Sequence, residues 1–210
     1  MTNCCKKEEI HKTLSLRLLD GSAPDSMRIL SEFLSLVYKD RAEHGIDYLP
    51  DGQDEETTFR RVADRESWVA EADGKIIATF TLSLPGKAHG TWWYRQGAIA
   101  EFNQLAVHPD FQTFAMFKFL CDAIERRAIE LGALESAGSV ATQRKRLLNA
   151  YLHRGYRIVD YKWKKNAKYG SYVFSKILAG NGIPCPWYRR VLRKIKYFRR
   201  FIRYGLRERK

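Results

Sequence analysis

Residues 98–133 read AIAEFNQLAVHPDFQTFAMFKFLCDAIERRAIELGA, a pattern that predicts a buried strand, a sharp turn and a long amphipathic helix. The strand takes its apolar residues from Ile99, Phe102, Leu105 and Val107, and Pro109 ends regular strand pairing. Beyond Gln112, apolar side chains recur on one helical face at Phe117, Leu120, Ile124, Ala128 and Leu131. Gly132 then supplies the stop signal. A strand that feeds directly into a helix leaves unpaired backbone N–H groups at the helix start, and such groups bind anions such as phosphate.

The composition is that of a globular chain without a membrane span. The 210 residues suit one domain of ordinary size plus an appendage. No apolar run is long enough to cross a bilayer, and residues 1–9 lack the apolar segment of a secretory signal, so we expect a cytoplasmic protein. The cysteines show neither C-x-x-C spacing nor a disulfide framework, and we predict no metal site. They are Cys4, Cys5, Cys121 and Cys185.

Most of the net charge of +13 lies in a short C-terminal segment. Residues 186–210 contain 11 Lys or Arg and a single acid, Glu208. The same segment carries an apolar stripe at helical spacing, formed by Tyr188, Val191, Leu192, Ile195, Phe198, Ile202 and Leu206. An aromatic-rich apolar face with a cationic flank is typical of a helix that lies on an anionic membrane. Nucleic acid would also accept the charge but does not require the stripe. Docking of the stripe onto the domain is the third interpretation.

The order of predicted elements indicates an α/β (α+β) domain with a mixed sheet flanked by helices. A strand at 14–19 precedes a helix with the buried stripe Met27, Leu30, Phe33, Leu34 and Val37. Further predictions are a short helix after the polar loop 44–58, a hairpin, strands after the central unit, and a short helix. The hairpin pairs 67–71 with 75–84, and the later strands are 135–140, 156–163 and 171–177. The last short helix is 143–151. Trp92 to Tyr94 extend the hairpin, line a pocket or pack in the core. We divide the chain into a disordered N-terminus (1–12), a domain (13–178), a linker (179–185) and the basic amphipathic tail (186–210).

The central segment resembles motif A of the GNAT acyltransferase superfamily, which reads L-x-V-x-P, then Q/R-x-x-G-x-G/A, then a helix. Leu105, Val107, Pro109 and residues 112–117 occupy these positions. The resemblance extends over about 13–178 and implies the GNAT fold and an acyl thioester co-substrate, with no permanently bound cofactor. It also implies that the donor's pantetheine and phosphates bind along Leu105, Ala106, Val107, Gln112, Thr113, Phe114, Ala115, Met116 and Phe117. The oxyanion would be held by a backbone N–H near 105–107.

Both signature glycines of that motif are replaced, by Ala115 and Phe117. Glycine there lets the backbone approach the pyrophosphate closely. Alanine costs little if its φ is negative, as in a first helical turn. The Phe117 ring either turns into the core and leaves coenzyme A binding intact, or it weakens the pyrophosphate site. In the second case an acyl carrier protein is the donor, because its phosphopantetheine has fewer phosphates to bind and its acidic surface would be attracted to the basic tail.

Glu101 is the candidate general base. It lies in the predicted strand, 11 residues before Gln112, an offset at which many GNAT enzymes carry a glutamate base that often acts through water. An acid in an apolar strand must reach a cleft or find a partner, because desolvation raises its pKa toward a useful value. The alternative is a glutamate on a solvated strand face.

Tyr151 is the candidate general acid. The segment NAYLHRGY (149–156) resembles GNAT motif B, in which a tyrosine four residues before a glycine gives its proton to the leaving sulfur. A phenol suits this role because it is neutral at pH 7 and carries its O–H on a rigid stem. Arg144 stands where the motif often has asparagine. A tyrosine that merely packs a helix end is the alternative.

These features together predict an N-acyltransferase that moves an acyl group from acyl-CoA or an acyl carrier protein to a small amine. Segment 100–109 (AEFNQLAVHP) and the chain length also resemble long-chain N-acyl amino acid synthases and their acyl-homoserine-lactone-forming relatives. That likeness implies a fatty acyl group, an amino acid or similar amine, and a peripheral location on the inner face of the membrane. One rival is a non-catalytic GNAT-like module that binds membrane or RNA through its tail. A second rival is RNA-associated acetylation.

Overall fold

A computed structural model describes residues 14–21, 25–43, 54–164 and 169–185, and five positions of the C-terminal segment. The chain divides into two compact units, Met1–Leu82 with Gln104–Asp122 and Ser83–Asn103 with Ala123–Lys210. The predicted disordered N-terminus (1–12), the loop 44–53 and most of the tail 186–210 lie outside the described residues.

The described elements form a mixed α/β arrangement, which confirms the predicted fold class. In chain order they are β1 (Ser15–Leu18), α1 (Ser26–Glu43), α2 (Glu55–Val62), β2 (Arg65–Ala72), β3 (Lys75–Ser83), β4 (Ile99–Val107), α3 (Phe114–Glu130), β5 (Glu135–Ala141), α4 (Lys145–His153), β6 (Arg157–Lys164) and β7 (Tyr169–Ile177). The strand order in the seven-stranded sheet is β1-β2-β3-β4-β5-β7-β6. The β4–β5 pair is parallel, whereas β1–β2, β5–β7 and β6–β7 are antiparallel. None of the helices among the described residues is long and apolar enough to cross a membrane.

The first unit has its core where α1 packs against the strands. The predicted stripe is confirmed: Leu30, Phe33, Leu34 and Val37 are buried in one cluster with Val69 of β2 and Ala106 of β4, and Met27 packs against it. The predicted hairpin is also present, because Asp73 and Gly74 join β2 to β3 with φ values of 51° and 73°. Two successive positive φ values match the right-handed twist of paired strands.

The second unit has a different core on each side of β4. Side chains alternate along a strand, so Ile99 and Glu101 lie on one face and Phe102 on the other. The first face is covered by a cluster of Ala88, Trp93, Tyr94, Ile99, Ala137, Val159 and Val173. On the second face Phe102 meets the rings of Tyr151, Tyr156 and Phe174. Gly138 permits this packing, because a Cβ there would lie 2.6 Å from the Phe102 ring.

Trp92 to Tyr94 do not extend the hairpin. They form turns, and Trp93 and Tyr94 are buried, so core packing is the use that the structure supports for these two residues. The segment connects two strands but is not itself part of the sheet, and its aromatic content alone does not distinguish these two cases.

The predicted linker 179–185 is bound to the second unit near its end. The Ile183 N–H donates to the buried Glu135 carboxylate over 2.6 Å, and both Ile183 and Cys185 pack against the first-face cluster. The described positions of the tail are all exposed: Trp187, Val191, Leu192, Ile195 and Phe198. The four of them that belong to the predicted apolar stripe, Val191, Leu192, Ile195 and Phe198, are therefore not docked into the domain core.

Candidate functional site

The strand-to-helix junction of the first unit is held by hydrogen bonds from its own residues. The His108 N–H donates to the Ile77 carbonyl of β3 over 2.8 Å. A single 3₁₀ turn, Pro109–Phe111, follows, and the Gln112 side-chain amide donates back to the Val107 carbonyl over 3.2 Å. The predicted donor-binding residues of 105–107 and 112–117 are therefore brought together as the end of β4, this turn and the start of α3.

The start of α3 has two unused backbone donors. The Thr113 hydroxyl accepts the Met116 N–H over 3.1 Å, as an N-cap side chain does. The Phe117 N–H donates to the Thr113 carbonyl over 3.0 Å. The N–H groups of Phe114 and Ala115 donate to no protein acceptor in the part of the chain that the structure describes, and both residues are exposed. Together with the dipole of a 17-residue helix, these groups are suited to an anion such as a pyrophosphate.

The structure also shows how the two replaced glycines are accommodated. Ala115 is helical and is not among the residues with positive φ, so its Cβ adds no backbone strain. The Phe117 ring is half-buried and lies 6.3 Å from the ring of Phe114, which is 76% exposed. The ring therefore lies at the edge of the fold with a second aromatic beside it, rather than wholly inside the core.

Glu101 is buried in the second unit. It is 6% exposed, so it does not lie on a solvated strand face. Its backbone N–H donates to the Ser83 hydroxyl over 2.9 Å, and its register partner on β5 is Ala137. A carboxylate in this position is shielded from bulk water, which is the setting in which an acid group can serve as a base near neutral pH.

Tyr94, which the motifs did not single out, lies on the same side as Glu101. Its ring packs in the cluster that contains Ile99 and Ala137, the neighbours of Glu101 along β4 and across to β5. Burial raises the pKa of Tyr94 well above its usual value, and the negative charges of Glu101 and Asp160 add to the shift, whereas the Ser139 hydroxyl opposes it. The phenol therefore stays protonated throughout the physiological range.

Tyr151 lies on the other face of β4. It is 2% exposed and stacks on Phe174 with ring centroids 4.3 Å apart. Its ring is 5.9 Å from that of Phe102, whose side chain points away from the Glu101 face. The structure thus places both predicted catalytic residues in the second unit but on opposite faces of one strand.

The helix that carries Tyr151 is fixed by an ion-pair network. Arg154, at the end of α4, donates from Nε and Nη2 to the two Glu125 oxygens of α3 over 2.7 and 3.0 Å. The Lys176 ammonium of β7 lies 2.8 Å from the same carboxylate. The pairing is bidentate and partly buried, so it restricts the orientation of α4. In the described part of the chain, no cluster of His, Cys, Asp and Glu is arranged to hold a metal ion.

Comparison with known proteins identifies this architecture. Residues 32–156 match the family model described as the acetyltransferase (GNAT) family. An aminoglycoside 6′-acetyltransferase type Ii is similar in structure, with TM-score 0.58, 15% identity, and coverage of 80% of this chain and 99% of that one. A GNAT family acetyltransferase from Elizabethkingia anophelis, with acetyl-CoA bound, has TM-score 0.55, 13% identity, and coverage of 79% and 98%. The Escherichia coli ribosomal-protein-S18-alanine N-acetyltransferase has TM-score 0.58, 11% identity, and coverage of 81% and 99%. At these identities the likeness concerns the fold alone. No curated protein matches the sequence.

Proposed function

Since the chain belongs to the acetyltransferase (GNAT) family, we propose that it is an N-acyltransferase that moves an acyl group from a thioester to an amine. The observation that carries the proposal is the start of α3, where the Phe114 and Ala115 N–H groups have no protein acceptor among the described residues. These groups lie in the motif that contacts the donor's phosphates in the family. An anion-binding helix start in that position is the feature that a phosphopantetheine thioester requires.

The catalytic residues of the proposal are Glu101 and Tyr151. The acceptor amine forms the new C–N bond, and Glu101 takes its proton directly or through a water. The C–S bond then breaks, and Tyr151 gives its hydroxyl proton to the thiolate sulfur. The two groups lie on opposite faces of β4, so this assignment requires the thioester to lie where β4 and β5 no longer pair, beyond Glu101 and Ala137. A backbone N–H near 105–107 would hold the oxyanion.

The donor of the proposal is acyl-CoA, with an acyl carrier protein as the second candidate. Acetyl-CoA is bound in the Elizabethkingia relative, which supports the first. An acyl carrier protein is favoured by the aromatic pair Phe114 and Phe117, which lies beside the backbone N–H groups at the start of α3. Large side chains there leave less room for phosphates, and the phosphopantetheine of a carrier protein has fewer of them. The acceptor is a small amine, with transfer of a fatty acyl group to an amino acid or similar compound as the finer form of the proposal.

The tail supports a peripheral location on an anionic membrane, on the cytoplasmic side. Its described apolar positions are exposed, and its sequence has 11 basic residues against one acid. Exposed apolar groups beside many cations favour a lipid surface over RNA. The same observation would suit the rival function, a non-catalytic module that binds membrane or RNA.

Acyl transfer is tested with a panel of acyl-CoA and acyl-carrier thioesters and a panel of amines, with the product detected by mass. The expected result is turnover whose kcat E101Q lowers by about 100- to 10,000-fold, and absence of turnover from folded protein with every donor would refute the enzyme. A thermal-shift assay with coenzyme A distinguishes the enzyme from the non-catalytic module, because binding of coenzyme A to the native state raises the melting temperature. Liposome flotation and RNA gel shift, each with and without 186–210, decide the role of the tail.

A further inference from the structure

The hydroxyl of Tyr94 is a buried polar group whose role the family motifs do not explain. The side chain is 1% exposed, and its hydroxyl has no hydrogen bond of normal geometry to any described residue. Leaving a buried donor unsatisfied destabilises the folded state, so native proteins rarely retain one without a use for it. A phenylalanine would fill the same volume at no such cost.

The surroundings of this hydroxyl point toward Glu101. Tyr94 packs with Ile99 and Ala137, which flank the Glu101 side chain along its strand and across to β5. Two charged groups of β6 also act on Tyr94: the Asp160 carboxylate, whose charge contributes to raising the pKa of the phenol, and the Lys162 ammonium, 5.0 Å from the ring centroid. The phenol thus lies among buried carboxylates, with a cation against its face.

We infer that Tyr94 is a positioning residue for Glu101, its hydroxyl sharing one buried water with the carboxylate that takes the acceptor's proton. The inference rests on the proposed function of Glu101 as the base. A buried water needs two to four polar partners, and the Tyr94 hydroxyl, the Glu101 carboxylate and the nearby Ser139 hydroxyl supply them. The O–H of Tyr94 donates to the water, which keeps both of its own protons and donates one of them to the Glu101 carboxylate, favouring the ionised form.

The first test is the pH dependence of acyl transfer by Y94F, which removes only the hydroxyl. Loss of the donor makes the ionised base less stable, so the acid limb of the kcat/KM profile is expected to move up by about one pH unit. At a pH on that limb the rate constant falls by about tenfold, and above the limb it is unchanged. Y172F is the matched control, because Tyr172 is a partly exposed tyrosine of β7 in the same unit, and its profile is expected to match that of the unmodified chain. An unshifted Y94F profile would overturn the inference while leaving the proposed enzyme intact.

The second test does not require turnover. In full-length protein with labelled tyrosine, the ζ-carbon resonance of Tyr94, assigned with Y94F, is followed between about pH 3 and 8. Coupling through a shared water predicts that the resonance titrates with Glu101 and that E101Q removes this component. If the E101Q titration equals that of the unmodified chain, the pairing is absent and the inference is wrong. This result decides the inference even where no donor is turned over, so the two proposals can fail separately.

Discussion

Replacing the buried Glu135 gives a graded prediction for stability. Its Oε1 accepts from the Arg157 guanidinium over 2.7 Å and from the Ile183 N–H over 2.6 Å. Its Oε2 accepts from the Ser175 hydroxyl over 2.5 Å. The side chain is 0% exposed, so it joins β5, β6, β7 and the segment before the basic tail without help from solvent.

Two substitutions at this position have different expected costs. In E135Q the amide oxygen can occupy the Oε1 position and keep both of its donors, while the NH₂ group donates to the Ser175 hydroxyl. That hydroxyl can turn its proton to the Ser136 carbonyl, which already lies 3.3 Å away. The groups that now donate to Glu135 all stay paired and one amide N–H is left without an acceptor, so the free energy of unfolding falls by about 1 to 3 kcal/mol. E135A leaves the Arg157 guanidinium and the Ile183 N–H without their acceptor and is expected to cost about 3 to 5 kcal/mol.

Urea unfolding followed by circular dichroism measures both variants, and hydrogen exchange at the Ile183 amide gives a local reading. E130Q is the matched control, because Glu130 is exposed and pairs across the helix surface with Arg127 over 2.8 Å. Its expected change is within about 0.5 kcal/mol. The Ile183 amide should exchange faster in E135A than in E135Q. The reasoning would be refuted if E135Q and E135A were equally destabilised, or if E135A left the Ile183 amide as protected from hydrogen exchange as in the unmodified chain.

Three further outcomes concern the candidate site. E101Q is expected to lower kcat by about 100- to 10,000-fold without lowering the melting temperature, and initial rates at saturating donor that stay unchanged would remove Glu101 as the base. Y151F is expected to lower kcat by about 100-fold with the donor Kd unaltered, whereas a change in Kd alone would make Tyr151 a packing residue. The raised pKa of Tyr94 predicts that the free energy of unfolding decreases at alkaline pH. Its pKa is raised in the folded chain by burial, so its contribution is complete below the unfolded value of about 10 and is lost as pH rises toward the folded value. Urea midpoints from about pH 9 to 11 should fall less steeply for Y94F, and parallel slopes would contradict the assignment.

Much of the fold was predictable from local patterns. The apolar strand up to Val107, the break at Pro109 and the helical spacing beyond Gln112 each depend on a short segment and its own choice between core and solvent. The Asp73–Gly74 turn carries its own backbone preference for positive φ. Such features depend on residues close in the chain, so the sequence displays them directly.

The candidate site was predictable only in its parts. The motifs named Glu101 and Tyr151 and located the helix start, but they gave no sign that the two side chains lie on opposite faces of β4. Tyr94 belonged to an aromatic segment for which the sequence allowed three interpretations: an extension of the hairpin, the lining of a pocket, or core packing. Glu135 carried no local signal, because its partners lie 22 to 48 residues away along the chain.

By itself, the amino-acid order determined the strand–turn–helix unit, the mixed α/β class and the concentration of positive charge beyond residue 186. Only the tertiary structure decided that Glu101 is buried, that Tyr94 rather than Tyr151 shares its face, and that Ile183 is tied to Glu135. The physical reason is that periodicity and turn preferences act between near neighbours. Burial of a charge and the pairing of polar groups, in contrast, depend on which distant segments the fold brings into contact.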